Sequence, residues 1–153
     1  MRIALGSDHA GFPLKARVRA ELERLGHVVD DVGTDSPDVS VDYPDFSFAV
    51  AERVGDGRAE RGVVVCATGI GASIAANKVE GVRASVVTSD DTARLTRADN
   101  DSNVLALGSK TAPSHDDALR WLRLWLDTPF EGGRHARRVD KIKTYEAQHT
   151  RRT

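Results

Sequence analysis

Four stretches of this sequence bring together residue types that can do chemistry. The first is CATGIGASIAANK, residues 66–78. A cysteine ending an apolar run, followed by a glycine-rich turn into a helix, lies near backbone N–H donors. Such donors stabilise a thiolate or an oxyanion formed during a reaction. Gly69 and Gly71 let the backbone approach a ligand closely, Thr68 supplies a hydroxyl, and Ser73 caps the helix or donates. The string is not a Walker A loop, because its spacing is wrong and Lys78 falls after the helix. Nor is it a dinucleotide fingerprint, because the third glycine is missing. The plain alternative for Cys66 is a small buried hydrophobe, the usual fate of a free cysteine.

The second stretch, GSDHAGFPLK at 6–15, puts Asp8 and His9 in a strand-to-helix turn that favours an anion. A charged His9 can bind phosphate and Asp8 can orient a sugar hydroxyl, although Asp is also a preferred capping type. In the third, ADNDSNVLALGSK at 98–110, Asp99, Asn100, Asp101 and Asn103 suit sugar hydroxyls. The same residues populate ordinary loops for backbone reasons. The fourth, EGGRHARRVDKI at 131–142, clusters Arg134, His135, Arg137, Arg138 and Lys141. Arg134 and Arg138 are four apart, so on a helix they share a face and offer a fork of donors to phosphate. The alternative is a solvated helix end.

These stretches need elements to hold them, and the pattern alternates short β-rich runs with amphipathic helices. Strands are expected over 2–5, 27–32, 62–66, 82–88 and 104–107. Pro13 suits a first helical turn; Leu14, Val18, Leu22 and Leu25 then recur at helical spacing until Gly26 closes the helix. Further helices are expected from Pro44 to about 54, 71–77 and 90–98, then after a Ser114 cap, with a last one entered within 129–142. The run Val63, Val64, Val65 suits a central strand buried on both faces. The expected fold is α/β: a single-domain, doubly wound, Rossmann-like five-stranded parallel sheet with flanking helices and a C-terminal helical extension. Ligands of such sheets sit beyond the carboxyl ends of the strands. The segments at 6–11, 66–73 and 99–103 are expected on that one rim.

The whole composition narrows the partners. The 153 residues fit one domain, spanning 1–153, with roughly 70% of the unfolded chain's surface hidden. With 22 Lys plus Arg against 23 Asp plus Glu, a strongly basic nucleic-acid binder is excluded. One cysteine permits neither an intrachain disulfide nor a multi-cysteine zinc site. Apolar runs of four or five residues are too short for a membrane span, and the amino terminus does not read as a secretory signal. A cytoplasmic protein is the expectation.

Taken in order, GSDHAGFPLK, DYPD at 42–45, CATGIGASIAANK, GVRAS at 81–85, NVLALGSK and EGGRHARRVDKI resemble the ribose-5-phosphate isomerase B family. That family includes the galactose-6-phosphate isomerase subunits, and the resemblance runs over nearly the whole chain. It implies a cofactor-free, metal-free aldose–ketose isomerase of a phosphorylated sugar, ribose 5-phosphate first. Cys66 would be the base that moves a proton between C1 and C2. Thr68 and the backbone of Ala67, Thr68, Gly69, Ile70 and Gly71 would hold the enediolate. Asp8, His9 and Asn100 would meet the sugar, and Lys110, Arg134 and Arg138 the phosphate. It also implies a homodimer or tetramer with sites shared between subunits, the segment from about 129 onward packing on a neighbour.

Three positions depart from the family pattern. Ala67 stands where many members have glycine, and Lys110 where many have arginine, losing the bidentate fork. Asp99 stands where ribose-5-phosphate isomerases carry the histidine that opens the furanose ring; an ordinary Asp at pH 7 is an acceptor only. Either burial raises the pKa of Asp99 so that it opens the ring, or His9 or another residue does so, or the substrate needs no opening. A tetrose 4-phosphate has no free hydroxyl with which to close a furanose. Tetrose or hexose phosphate isomerisation is therefore the alternative substrate class. A non-catalytic sugar-phosphate sensor and a redox role for Cys66 are the alternatives of other classes, the last without a second cysteine to resolve it.

Overall fold

In the computed structural model, which describes residues 1–150, a five-stranded parallel sheet has the order β2-β1-β3-β5-β4. The strands are β1 (Arg2–Ser7), β2 (Val28–Asp31), β3 (Arg61–Cys66), β4 (Ala84–Val86) and β5 (Val104–Gly108). The helices are α1 (Phe12–Arg24), α2 (Tyr43–Gly55), α3 (Ile70–Ala76), α4 (Asp90–Ala98), α5 (His115–Asp127) and α6 (Arg134–His149). Successive side chains of a strand point to opposite faces. On β3, Val63 and Val65 therefore enter the core shared with Leu14, Val18, Leu22, Leu122 and Trp125 of α1 and α5. Val64 and Cys66 enter the other, with Val50 and Ala51 of α2 and Ala72 and Ala76 of α3. Helices thus cover both faces, and the fold is the expected doubly wound one.

Local signals hold where the physics is local. Pro13 opens α1 and Ser114 accepts the Asp117 N–H as the α5 cap. Two boundaries move for tertiary reasons. Leu25 lies beyond the end of α1 and is 40% exposed, because Gly26, at φ +89°, already turns the chain toward β2. The fourth strand is three residues long rather than seven: it lies at the sheet edge and pairs with β5 alone, from Ala84↔Val104 to Val86↔Ala106.

One larger expectation fails. Residues 99–103 do not share a rim with 6–11 and 66–73. They precede β5, so in a parallel sheet they lie at the amino ends of the strands, where Gly62 N–H at the start of β3 donates to Asn103 O (2.9 Å). A five-residue strand rising about 3.3 Å per residue separates the two rims by about 17 Å.

Candidate active site

The carboxyl rim carries the cysteine. Cys66 ends the central strand, 4% exposed, and its Sγ accepts the Gly69 N–H at 3.2 Å. A donor aimed at sulphur is the contact that a thiolate uses. The turn around it depends on glycine: Gly69 has φ +77°, and a Cβ there would lie 3.0 Å from the Leu107 carbonyl carbon and from Val86 Cγ2. Thr68 Oγ1 accepts the Ile70 N–H (3.2 Å) and the residue is exposed. Ser73 donates its hydroxyl back to Ile70 O (2.9 Å), so it is spent within α3. Backbone bonds from Ser109 N–H to Cys66 O and from Lys110 N–H to Ala67 O, both 2.9 Å, dock the loop after β5 onto this turn. They place the exposed Lys110 on the Cys66 rim, with no side-chain partner among the described residues.

The loop after β1 is the neighbouring wall. Asp8 is buried, and its Oδ1 accepts the Gly11 N–H at 2.8 Å, so the capping role is filled while Oδ2 has no protein partner among the described residues. His9 Nδ1 accepts the Val41 N–H (3.2 Å), which leaves the ring proton on Nε2 as a single donor for a ligand. Ser109 Oγ donates to Ala10 O (2.9 Å) and ties this wall to the loop carrying Lys110.

Sequence reasoning missed Tyr43 as a site residue. Its phenol crosses the glycine-rich turn so closely that a Cβ on Gly71 would lie 2.5 Å from Cζ and 2.6 Å from Oη. The available signal was DYPD, which starts α2 at Tyr43; nothing in that spacing says that the helix begins beside Gly71.

The amino rim holds the rest. Asp101 and Asn103 have structural partners: Asp101 Oδ1 accepts from Arg97 (2.8 Å), and Asn103 Oδ1 accepts the Arg83 N–H (2.7 Å). Asn100 and Asp99 are different. Asn100 is exposed and its side chain makes no hydrogen bond among the described residues, although its carbonyl accepts from Arg83. Asp99 Oδ1 lies 3.5 Å from His135 Nε2, and Glu131 Oε2 lies 3.7 Å from the same nitrogen. Arg134 and Arg138 occupy one exposed side of α6 without carboxylate partners among the described residues. The structure therefore brings Cys66, Thr68, Asp8, His9 and Lys110 together on one rim, and Asp99, Asn100, Arg134 and Arg138 on the other. Within one chain the two sets lie at opposite ends of the strands, about 17 Å apart.

Comparison with known proteins follows the same outline. Residues 3–142 match the ribose/galactose isomerase family. A Clostridium thermocellum ribose-5-phosphate isomerase B structure superposes with TM-score 0.94 at 48% identity, covering 98% of this chain and 100% of that one. Ribose-5-phosphate isomerase B of Escherichia coli is 43% identical over 95% of this chain and 96% of its own. The D-erythrulose-4-phosphate isomerase of Pectobacterium atrosepticum is 37% identical over 97% of each.

Proposed function

The chain belongs to the ribose/galactose isomerase family, and on that premise we propose that it interconverts ribose 5-phosphate and ribulose 5-phosphate with Cys66 as the base. It is a sugar-phosphate isomerase of the aldose–ketose kind. The Cys66 thiolate takes the proton from C2, and the electron pair left behind makes the C1–C2 double bond of an enediolate. Backbone N–H groups of 67–71 and the Thr68 hydroxyl meet the developing oxygen charge, which is where fixed donors accelerate a reaction most. A proton passes from the C2 oxygen to the C1 oxygen, and Cys66 returns its proton to C1 as the C2 oxygen becomes the ketone, so no redox partner is consumed. Asp8 and His9 Nε2–H fix the sugar hydroxyls. The phosphate, distant from the reacting carbons, supplies orienting energy through Lys110, Arg134 and Arg138.

The assembly is a homodimer, or a tetramer of such dimers, in which the second copy brings Asp99, Asn100, Arg134 and Arg138 to the Cys66 rim. The division of the constellation between rims about 17 Å apart supports this. So do Ile70 and Ile74, four apart on α3 beside the glycine-rich turn and 54% and 57% exposed, an apolar pair suited to a partner. Each chain spans 1–153 as one domain, and its segment from about 129 onward crosses to the neighbour.

The observation that carries the reading is Cys66 Sγ, buried at the end of the central strand with the Gly69 N–H on it. Cys66→Ala tests it: turnover of ribose 5-phosphate should fall at least about a hundredfold, as loss of a general base does, with ligand affinity retained. Unchanged turnover would remove the role. A tetrose 4-phosphate is the second substrate reading, favoured by Asp99 and by the likeness to a relative named for D-erythrulose 4-phosphate. Comparing kcat/KM for ribose 5-phosphate and erythrose 4-phosphate ranks the two.

A further inference from the structure

We propose that Asp99, Glu131 and His135 form a binding site for one zinc-class divalent cation, which fastens the start of α6 to the end of α4 independently of Cys66 and of the sugar. His135 is the side chain that points to a ligand. It is 8% exposed, yet its ring makes no hydrogen bond among the described residues. A buried polar group without a partner costs free energy that a bound ligand recovers. Its Nε2 faces Asp99 Oδ1 at 3.5 Å and Glu131 Oε2 at 3.7 Å. Those separations exceed the roughly 2.7–2.9 Å of a charge-assisted hydrogen bond. They fit the edges of a tetrahedron instead: zinc with ligands at about 2.0–2.2 Å sets neighbouring ligand atoms about 3.4 Å apart.

Three elements meet to build this cluster. Asp99 caps the carboxyl end of α4, where the helix dipole repels a carboxylate and favours a cation. Glu131 is drawn in by its N–H donating to Ala98 O (3.0 Å), and His135 enters from the first turn of α6. Neither carboxylate pairs with an arginine or lysine among the described residues, so their negative charge is left for another cation. Only His135 and Val139 of α6 are buried, so little apolar packing holds its first turn. A cation shared by the three side chains joins that turn to the body of the sheet.

The donor set selects the metal. One imidazole nitrogen with two carboxylate oxygens suits Zn²⁺ and its transition-metal neighbours, whereas Mg²⁺ prefers an octahedral shell of oxygens and waters. His135 coordinates as the neutral imidazole through the Nε2 lone pair, with its ring proton on Nδ1. The three ligand atoms already lie within 4.8 Å of one another, and the Glu131 side chain, 65% exposed, has room to close the widest gap. Water completes the fourth position.

The test titrates the full chain, stripped of metal by a chelator, with Zn²⁺ in a calorimeter and melts it with and without the ion. One Zn²⁺ should bind per chain. At about a hundred times the dissociation constant it should raise the melting midpoint by about 5–10 °C, while Mg²⁺ at the same concentration leaves the midpoint in place. Glu131→Gln, Asp99→Asn and His135→Leu should each weaken Zn²⁺ binding by at least about tenfold. Glu131 is exposed, so its variant keeps the test open even if the His135 variant folds poorly. His149→Gln, which removes an exposed histidine at the far end of α6, should bind as wild type does. The proposal is overturned if Zn²⁺ does not bind, if Mg²⁺ stabilises equally, or if binding survives Glu131→Gln and Asp99→Asn unchanged. Loss of binding in His149→Gln overturns it as well, by moving the ion to the other end of the helix. None of these readouts involves isomerase activity, so the outcome is separate from the function proposed above.

Discussion

Mixing two inactive variants should restore activity if each site is built from two chains. One parent is Cys66→Ala, which lacks the proposed base on the carboxyl rim. The other is Arg134→Ala/Arg138→Ala, which lacks two proposed phosphate donors on the amino rim. Within one chain these groups lie at opposite ends of the sheet, separated by β5 and so by about 17 Å. A two-fold interface is isologous, so each dimer holds two sites, each pairing one copy's carboxyl rim with the other's amino rim. In a mixed dimer one site carries both defects and the other carries none. Random association of equal amounts gives about half mixed dimers, each with one intact site of two. The mixture should therefore show about one quarter of the wild-type rate per chain. Each parent alone should be at least about a hundredfold down, the first by loss of the base and the second by loss of two charge-assisted contacts, measured at low substrate. The assay is ribose 5-phosphate isomerisation after co-expression with distinguishable tags and purification of all species. A mixture no more active than the sum of its parents would show that each chain completes its own site, and the two-rim argument would be wrong.

Two further outcomes follow from the geometry. Gly69→Ala should destabilise the protein by about 3 kcal/mol: about 1–2 from φ +77° in an L-residue and the remainder from a Cβ 3.0 Å from the Leu107 carbonyl carbon. Thermal melting should show a fall of about 6–12 °C for a chain of this size; an unchanged midpoint would mean that the turn relaxes freely. The second concerns Glu21, whose carboxyl is lowered to about 2, first by the Arg24 hydrogen bonds and then by Arg123 across the α1–α5 contact. A carboxyl lowered on folding contributes stability that is present above its unfolded pKa and lost as pH falls through the folded one. Glu21→Gln should therefore be less stable than wild type at pH 6, with the gap closing between pH 4.5 and pH 2. A denaturant-melt difference constant over that window would contradict the ion-pair account.

Local chemistry made much of this protein legible without coordinates. Pro13, Gly26 and Ser114 act on their own turns, and the Val63–Val65 run is apolar whichever sheet receives it, so the elements and the α/β class follow from short-range rules. Cys66 ahead of Gly69 and Gly71 marks a turn with exposed N–H groups for the same reason. Distance along the chain, however, does not say which end of a sheet a loop occupies. Residues 99–103 looked like neighbours of the cysteine turn because both are polar loops beside strands. Strand direction alone sends one loop to the amino rim and the other to the carboxyl rim. The same holds for Tyr43 over Gly71, 28 positions apart, and for His135 beside Asp99, 36 positions apart. Sequence set the residue types and the local turns, because those depend on a few neighbouring torsions. Which groups share a rim was decided by parallel strand packing, a property of the folded whole.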